Sequence, residues 1–381
     1  MSKKVIADVF LEVANAIESG EFGKKVRIGL TTLGSEHGVE NLVNGAHLAS
    51  SSLFDIVLIG PKVDTHLEVV EVNDEKEMHK KMEELLDSGQ IDACVTMHYN
   101  FPIGVSTVGR VITPGKGKEM ILATTTGTSA TNRIEAMVRN AISGIATAKS
   151  IGIKNPKVGI LNLDGARQVE KCLNELKENG YNFEFAESVR ADGGSVMRGN
   201  DLLVGAPDVM VTDTLSGNIF MKVFSSYTTG GDYEANGYGY GPGVGEDYDR
   251  KILILSRASG SPVVANALKY AYDVVKGDVS ATAKDEFKNA KAAKFDEIIS
   301  SVTKKEVKVE TEEVAMPDKE VVTGQIVGID VMDLEDAVSV LWKEKIYAES
   351  GMGCTGPIVL VNENKITQSI EILVKAGYTA K

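Results

Sequence analysis

Cysteine is scarce in this chain: Cys94, Cys172 and Cys354 are the only three in 381 residues. Three scattered thiols exclude a disulfide framework and a structural zinc site, and they point to a reducing, cytoplasmic setting. An excess of basic charge is also missing, for the net charge is −13. That balance argues against sequence-independent nucleic-acid binding and against an anionic membrane surface. No apolar run is long enough to cross a membrane. Lys3 and Lys4 precede Val5-Ile6 as in a leader, but Asp8 and Glu12 interrupt the run. The spacing of Val5, Ile6, Val9, Phe10, Val13, Ala16 and Ile17 predicts an amphipathic helix instead. No Walker or dinucleotide fingerprint, metal-ligand spacing or internal repeat is present.

What is present is an alternation of short apolar strands and helices. Strands are predicted at Val26–Leu30, Phe54–Gly60, Ile91–Met97, Met120–Ala123, Val158–Leu161, Val209–Thr212 and Lys251–Leu255. Helices are predicted over 39–49, 75–86, 133–150 and 166–179, and again from Ile219. This is an α/β protein with a mostly parallel sheet. Ligands in such sheets bind beyond the strands' carboxyl ends, so the loops after Leu30, Met97, Ala123, Leu161 and Thr212 are expected to converge on one cleft. The length suits two α/β subdomains, 1–150 with the leading helix and 151–280 with an anion-binding loop and a Gly-rich loop. Residues 281–381 then form a helical linker and a C-terminal β-α-β-α appendage, in which Asp333 caps a helix ending near Gly351.

Two stretches carry candidate chemistry. In Ser350–Pro357, glycines at 351, 353 and 356 bracket Cys354. Small residues let amides converge, so Cys354 is a candidate nucleophile with Gly353 and Thr355 amides as oxyanion donors. A tight turn would use the same glycines. In Asp213-Thr214-Leu215-Ser216-Gly217-Asn218, between strand and helix, amides can point at an anion. Ser216, Gly217 and Asn218 supply donors, with Lys222 a turn further on and Arg198 upstream; plain capping by Asp213 or Ser216 is the alternative. Gly230–Gly245 reads as a mobile loop or lid, and the hydroxyls of Thr124–Ser129 either meet phosphate or cap the next helix. His37 and His98 follow strands on the cleft side, where either could act as a base. Cys172 shares a face with Val169, Leu173 and Leu176 and reads as core. Cys94 lies in an apolar strand and is a second thiol only if exposed, which leaves Cys354 as the nucleophile of choice.

The run Pro207–Lys222, with Arg198-Gly199 before it, resembles the PlsX acyl-phosphate synthase family, which is related to phosphotransacetylases. The resemblance extends loosely over 24–275. The loop Thr31–Asn44 and Gly-Met-Gly-Cys-Thr-Gly-Pro near the end bring the whole chain closer to one branch. That branch is the component C alpha subunits of the glycine (sarcosine, betaine) reductase complexes of amino-acid-fermenting anaerobic bacteria. The chain departs from PlsX in its leading helix, its Thr31–Glu36 loop and its appended Cys354 segment, which disfavours a long-chain acyl substrate.

The resemblance implies a phosphotransacetylase/isocitrate-dehydrogenase-like architecture and release of acetyl phosphate from an acetyl thioester on Cys354. Asp213 and Ser216 would serve catalysis, and Lys222 or Arg198 would hold phosphate as co-substrate. No metal or organic cofactor is implied. The implied partners are a component C beta subunit, the selenoprotein component A and, through it, the substrate-specific component B, in an oligomer. Two other readings stay open. One is a non-catalytic PlsX-like scaffold for the beta subunit. The other is a decarboxylating dehydrogenase of related architecture, which needs a metal-binding aspartate cluster and a nucleotide site that the sequence does not show.

Overall fold

The computed structural model describes residues 25–191, 193–303, 314–329, 333–353 and 356–379, and within the first helical stretch residues 10, 13–14 and 16–17. Those few early residues are helical. The first half comprises β1 (Val26–Thr31), α1 (Gly38–Ala49), β2 (Phe54–Gly60), β3 (Glu68–Glu71), α2 (Glu75–Asp87), β4 (Ala93–Thr96), β5 (Val105–Ile112), β6 (Glu119–Thr128) and α3 (Arg133–Ser150). Next come β7 (Lys157–Leu161), α4 (Ala166–Glu178), β8 (Glu184–Phe185), β9 (Val196–Met197), α5 (Gly199–Val204), β10 (Val209–Val211), α6 (Thr214–Ser226), β11 (Gly241–Val244) and β12 (Ile252–Ile254). Helices α7 (Ser261–Lys276), α8 (Val279–Ala292) and α9 (Phe295–Thr303) complete the body. The C-terminal unit holds β13 (Gly324–Val327), α10 (Leu334–Lys343), β14 (Ala348–Gly353), β15 (Gly356–Val361) and α11 (Ile366–Ala376).

One twelve-stranded sheet runs through the body in the order β3-β2-β1-β4-β12-β11-β5-β6-β10-β7-β8, with β9 also on β7. Two runs are parallel: β3 to β12 on one side, and β6 with β10, β7, β8 and β9 on the other. Three antiparallel pairings, β12–β11, β11–β5 and β5–β6, stand between them. Three reversals turn the second run against the first. The loops after β1 and β4 therefore leave one edge, and those after β6, β7 and β10 leave the other. The single cleft of five loops expected from the sequence is corrected by this topology.

Strand β1 shows how the faces are assigned. Ile28 and Leu30 point into a core with α1, α3, α4, α7, α8 and α9, and the opposite face packs Met78, Met82 and Leu85 of α2 and Met221 and Phe224 of α6. A strand buried on both faces needs a near-continuous apolar run, and that run made it legible. Helix α3 buries 13 of its 18 residues, including Asn140, Ser143 and Thr147, and so lies inside the core rather than on it.

Five expectations change. Strand β6 continues through Thr128, so the threonine run is strand rather than loop. Thr124 and Thr125 are fully buried, and their hydroxyls bond Thr107, Thr126 and Tyr240 within the sheet. They neither meet a phosphate nor cap α3, whose N-cap is Asn132. The Gly/Tyr-rich stretch is not a lid throughout, because β11 within it is a buried central strand. A Cβ at Gly241 would lie 1.7 Å from the Val108 carbonyl oxygen, so glycine there serves close strand contact.

Helix α6 starts at Thr214 rather than Ile219. The C-terminal helix ends at Lys343, and the residues before Gly351 form a strand paired with β15 in a β13-β15-β14 antiparallel sheet. This unit has its own core of Leu334, Ala337, Leu341, Val359 and Val361 among others, whereas Phe287, Phe295 and Ile299 belong to the body's core. The boundary placed at 281 thus falls inside the packed body. Gln168 Nε2 of α4 donates to Asp333 Oδ2 at 3.1 Å and ties the two units together.

Candidate functional site

Helix α6 is pressed onto β6. A Cβ at Gly217 would lie 1.7 Å from the Thr124 carbonyl oxygen, so only glycine allows this approach. Asn218 Nδ2 donates to the Thr125 carbonyl at 3.1 Å, and Thr214 Oγ1 donates to that of Gly127 at 3.0 Å. Gly217 and Asn218 therefore seat the helix, and their side of it faces the sheet rather than a ligand. From Asp213 to Lys222 is nine residues, or about 13 Å of helix. The residues expected to share one phosphate site lie toward different ends of one element.

The first end is closed. Asp213 Oδ1 accepts the Ser216 amide at 2.7 Å, and Oδ2 accepts from Arg133 Nη2 at 2.6 Å. The carboxylate occupies the helix N-terminus that an anion would need, which is the capping alternative. Ser216 takes part through its amide. Arg198 precedes α5 at the end of β9, two strand spacings from β10, or roughly 10 Å. It shares a sheet edge with Asp213 and not with Lys222.

The other end is open and chemically mixed. Lys222 Nζ lies 3.4 Å from Ser256 Oγ, 3.7 Å from Glu234 Oε1 and 5.8 Å from the centre of the Tyr240 ring. Ser256 sits just beyond β12, at the carboxyl edge of the first parallel run. Glu234 is only 3% exposed. Its backbone N–H donates to the Ala258 carbonyl at 3.0 Å, its carbonyl accepts the Gly260 amide at 2.8 Å, and Oε2 accepts from Ser259 Oγ at 3.0 Å. Oε1 and the Tyr240 hydroxyl are buried without a hydrogen-bond partner among the described residues. An orphaned buried polar atom costs about 1–3 kcal/mol. Burial pushes the Glu234 carboxyl above its ordinary range, and the nearby Ser256 and Ser259 hydroxyls and the charge of Lys222 pull against it. Burial also raises the Tyr240 phenol, and the Glu234 charge adds to that.

The loop after β1 joins this end. His37 is exposed, its Nε2 lies 3.3 Å from the Ala258 carbonyl oxygen, and its ring is 6.0 Å from that of Tyr233. The Glu36 amide donates to the Arg257 carbonyl at 2.9 Å, and Arg257 Nη2 is 3.7 Å from Glu75 Oε1. His98 follows β4 on the same edge, exposed, with its ring 6.4 Å from that of His79. The structure thus brings together Lys222, His37, Ser256, Arg257, Glu234 and Tyr240. The sequence named the first two. The pattern Ser-Arg-Ala-Ser-Gly-Ser directly after an apolar strand was the available signal for Ser256 and Arg257.

Two of the three thiols are settled by burial. Cys94 is fully buried in β4 with its thiol pushed up by desolvation, and Cys172 is buried in α4 with its thiol pushed up to about 12. Neither is held as a thiolate or reached by a substrate. Cys354 and Thr355 lie outside the described residues, between Gly353 and Gly356, which are register partners of β14 and β15. Among the described residues no group of three or more His, Cys, Asp or Glu side chains is placed to hold a metal ion.

The chain belongs to the family described as "Fatty acid synthesis protein", whose model matches residues 26–360. The component C alpha subunit of the glycine/sarcosine/betaine reductase complex of Peptoclostridium acidaminophilum is 68% identical over 381 residues, covering 99% of each chain. The phosphate acyltransferase of Thermotoga neapolitana is 29% identical over 235 residues, covering 52% of this chain and 68% of that one. A branched-chain phosphotransacylase from Enterococcus faecalis V583 superposes with a TM-score of 0.47 at 17% identity, over 65% of this chain and 99% of the other.

Proposed function

We propose that the chain is the alpha subunit of component C of such a reductase complex and forms acetyl phosphate from an enzyme-bound acetyl thioester. The observation that carries this reading is the 68% identity along 99% of the chain to a subunit of that name. The likeness to phosphate acyltransferases supports the reaction class. The partners are then a component C beta subunit, the selenoprotein component A and, indirectly, component B, in a cytoplasmic oligomer. Among the described residues no helix is long and apolar enough to cross a membrane.

The chemistry asks little of the protein. A phosphate oxygen attacks the acetyl carbonyl carbon, and the carbon–sulfur bond breaks. The thiolate leaves with the electron pair and takes up the proton that phosphate loses, giving acetyl phosphate and a free thiol. The site has to hold phosphate, stabilise a tetrahedral oxyanion and keep water out. Lys222, Ser256 and Arg257 supply charge and donors for phosphate at the carboxyl edge of β12. The thiol is Cys354, since Cys94 and Cys172 are enclosed. The amides of Gly353 and Thr355 are the oxyanion donors in this reading. Phosphate is the co-substrate, and no metal or organic cofactor takes part.

The test is peptide mass spectrometry after incubation with acetyl phosphate, with and without arsenate, on the wild type and Cys354→Ala. An acetyl group on the Cys354 peptide, drained by arsenate and absent in the variant, is the expected result. Full activity of the assembled complex with Cys354→Ala would overturn it and favour a non-catalytic subunit that binds the beta chain.

A further inference from the structure

Glu234 is anchored in a way that its surroundings do not use up. Its backbone is bonded to the loop over 256–260 on both sides, and Ser259 fixes one carboxyl oxygen. The other oxygen faces Lys222 Nζ at 3.7 Å, beyond hydrogen-bond length, and makes no hydrogen bond among the described residues. Lys222 is 56% exposed, so its ammonium can reach an anion arriving from solvent, with Ser256 Oγ 3.4 Å away as a second donor. An anion held there finds the buried Glu234 charge directly behind the lysine, 3.7 Å from its ammonium. Protonation of Glu234 removes that repulsion and gives a carboxyl with its own O–H.

We propose that Glu234 takes up a proton when a divalent oxyanion of the phosphate class binds against Lys222 and Ser256. The proton comes from solvent and rests on the carboxyl, so one proton enters for each anion bound. The inference rests on the function proposed above for the natural anion, but not for the linkage itself. Burial has already moved this carboxyl toward the protonated form. The groups that face it are Lys222 from α6, Tyr240 ahead of β11, and Ser256 and Ser259 beyond β12, while His37 reaches the same loop through the Ala258 carbonyl. His37 is the other ionisable group joined to this loop and is the control.

The probe is sulfate, which does not titrate near neutrality. Sulfate is titrated into the full chain by calorimetry in two buffers of different ionisation heat, between about pH 5 and 8. The wild type should take up close to one proton per sulfate, and its affinity should fall as much as about tenfold per pH unit once the carboxyl ionises. Glu234→Gln should show neither effect, and His37→Gln should keep both. Equal uptake in wild type and Glu234→Gln, or loss of uptake in His37→Gln, overturns the proposal. Should Glu234→Gln not fold, Lys222→Met at an exposed position decides. Loss of sulfate binding together with its proton supports the proposal, and retention of both overturns it. Linkage without acetylation of Cys354 would leave this inference standing and remove the proposed function, and acetylation without linkage would do the reverse.

Discussion

The two ends of α6 hold the same pair of charges in opposite states. At the start, Asp213 and Arg133 meet at 2.6 Å, and the second Asp213 oxygen receives the Ser216 amide. Toward the other end, Lys222 and Glu234 stand 3.7 Å apart, and the carboxyl oxygen that faces the lysine makes no hydrogen bond among the described residues. The first pair has spent its hydrogen-bonding capacity on the fold. The second has capacity left over in a buried place, where leftover polarity is costly. A strand-to-helix junction beginning Asp-Thr reads equally well as a cap or as an anion site. The unsatisfied atoms, rather than the junction, separate the two.

The largest change we expect would loosen both ends at once. Gly217→Ala puts a methyl group into the Thr124 carbonyl, which is backbone and cannot swing aside. The expected loss is more than about 3 kcal/mol, measured by urea unfolding. A loss well under about 1 kcal/mol would mean that α6 can shift along β6, and that the contrast between its ends is not fixed by packing. Next in size, Lys222→Met should weaken sulfate or phosphate binding at least about tenfold, or 1.4 kcal/mol. Arg133→Met should change that affinity by less than about twofold. Calorimetry on the two variants checks the pair, and similar losses in both would erase the distinction between the ends.

The alternation of strand and helix was readable because β1, β2, β4, β7 and β10 are largely buried on both faces and had to be apolar over most of their length. Strand β5 hides behind Ser106, Thr107 and Arg110, polar residues whose partners Asn140, Thr125, Glu119 and Asp273 come from other elements. Strand β11 is Gly-Pro-Gly-Val, a loop by propensity that only the crowding against Val108 explains. Missing these two strands hid the antiparallel centre, and with it the reversal that sends the five loops to opposite edges. At the site, Lys222 and His37 were legible from their places near strand and helix ends. Glu234 was not, because its meaning lies in a contact with Ser259 made across 25 positions of chain.

A smaller effect separates the ends by pH. The folded-state value of the Glu234 carboxyl is raised above its ordinary 4.5. Stability tied to its protonated form is therefore complete below that ordinary value and is lost as pH rises through the folded-state value. Glu234→Gln keeps the shape and cannot ionise, so it should gain on the wild type as pH rises from about 4 to 8, followed by thermal unfolding at each pH. A wild type that gains on the variant over that range would show that the pairing with Lys222 outweighs burial, and the second end would then resemble the first.

The smallest effects belong to the closed end, and they test whether it is only a cap. Asp213→Ala removes the acceptor for the Ser216 amide and should lower stability by about 1 kcal/mol. Arg133 is 47% exposed, so its bond to Asp213 is screened by solvent, and Arg133→Gln should cost no more than about 0.5 kcal/mol. Capping and ion pairing share the Asp213 carboxylate, so the two losses should not add: the double variant should cost about as much as Asp213→Ala alone. Additive losses in urea unfolding would mean that Arg133 holds something besides Asp213, and that the start of α6 has a use beyond ending its own helix.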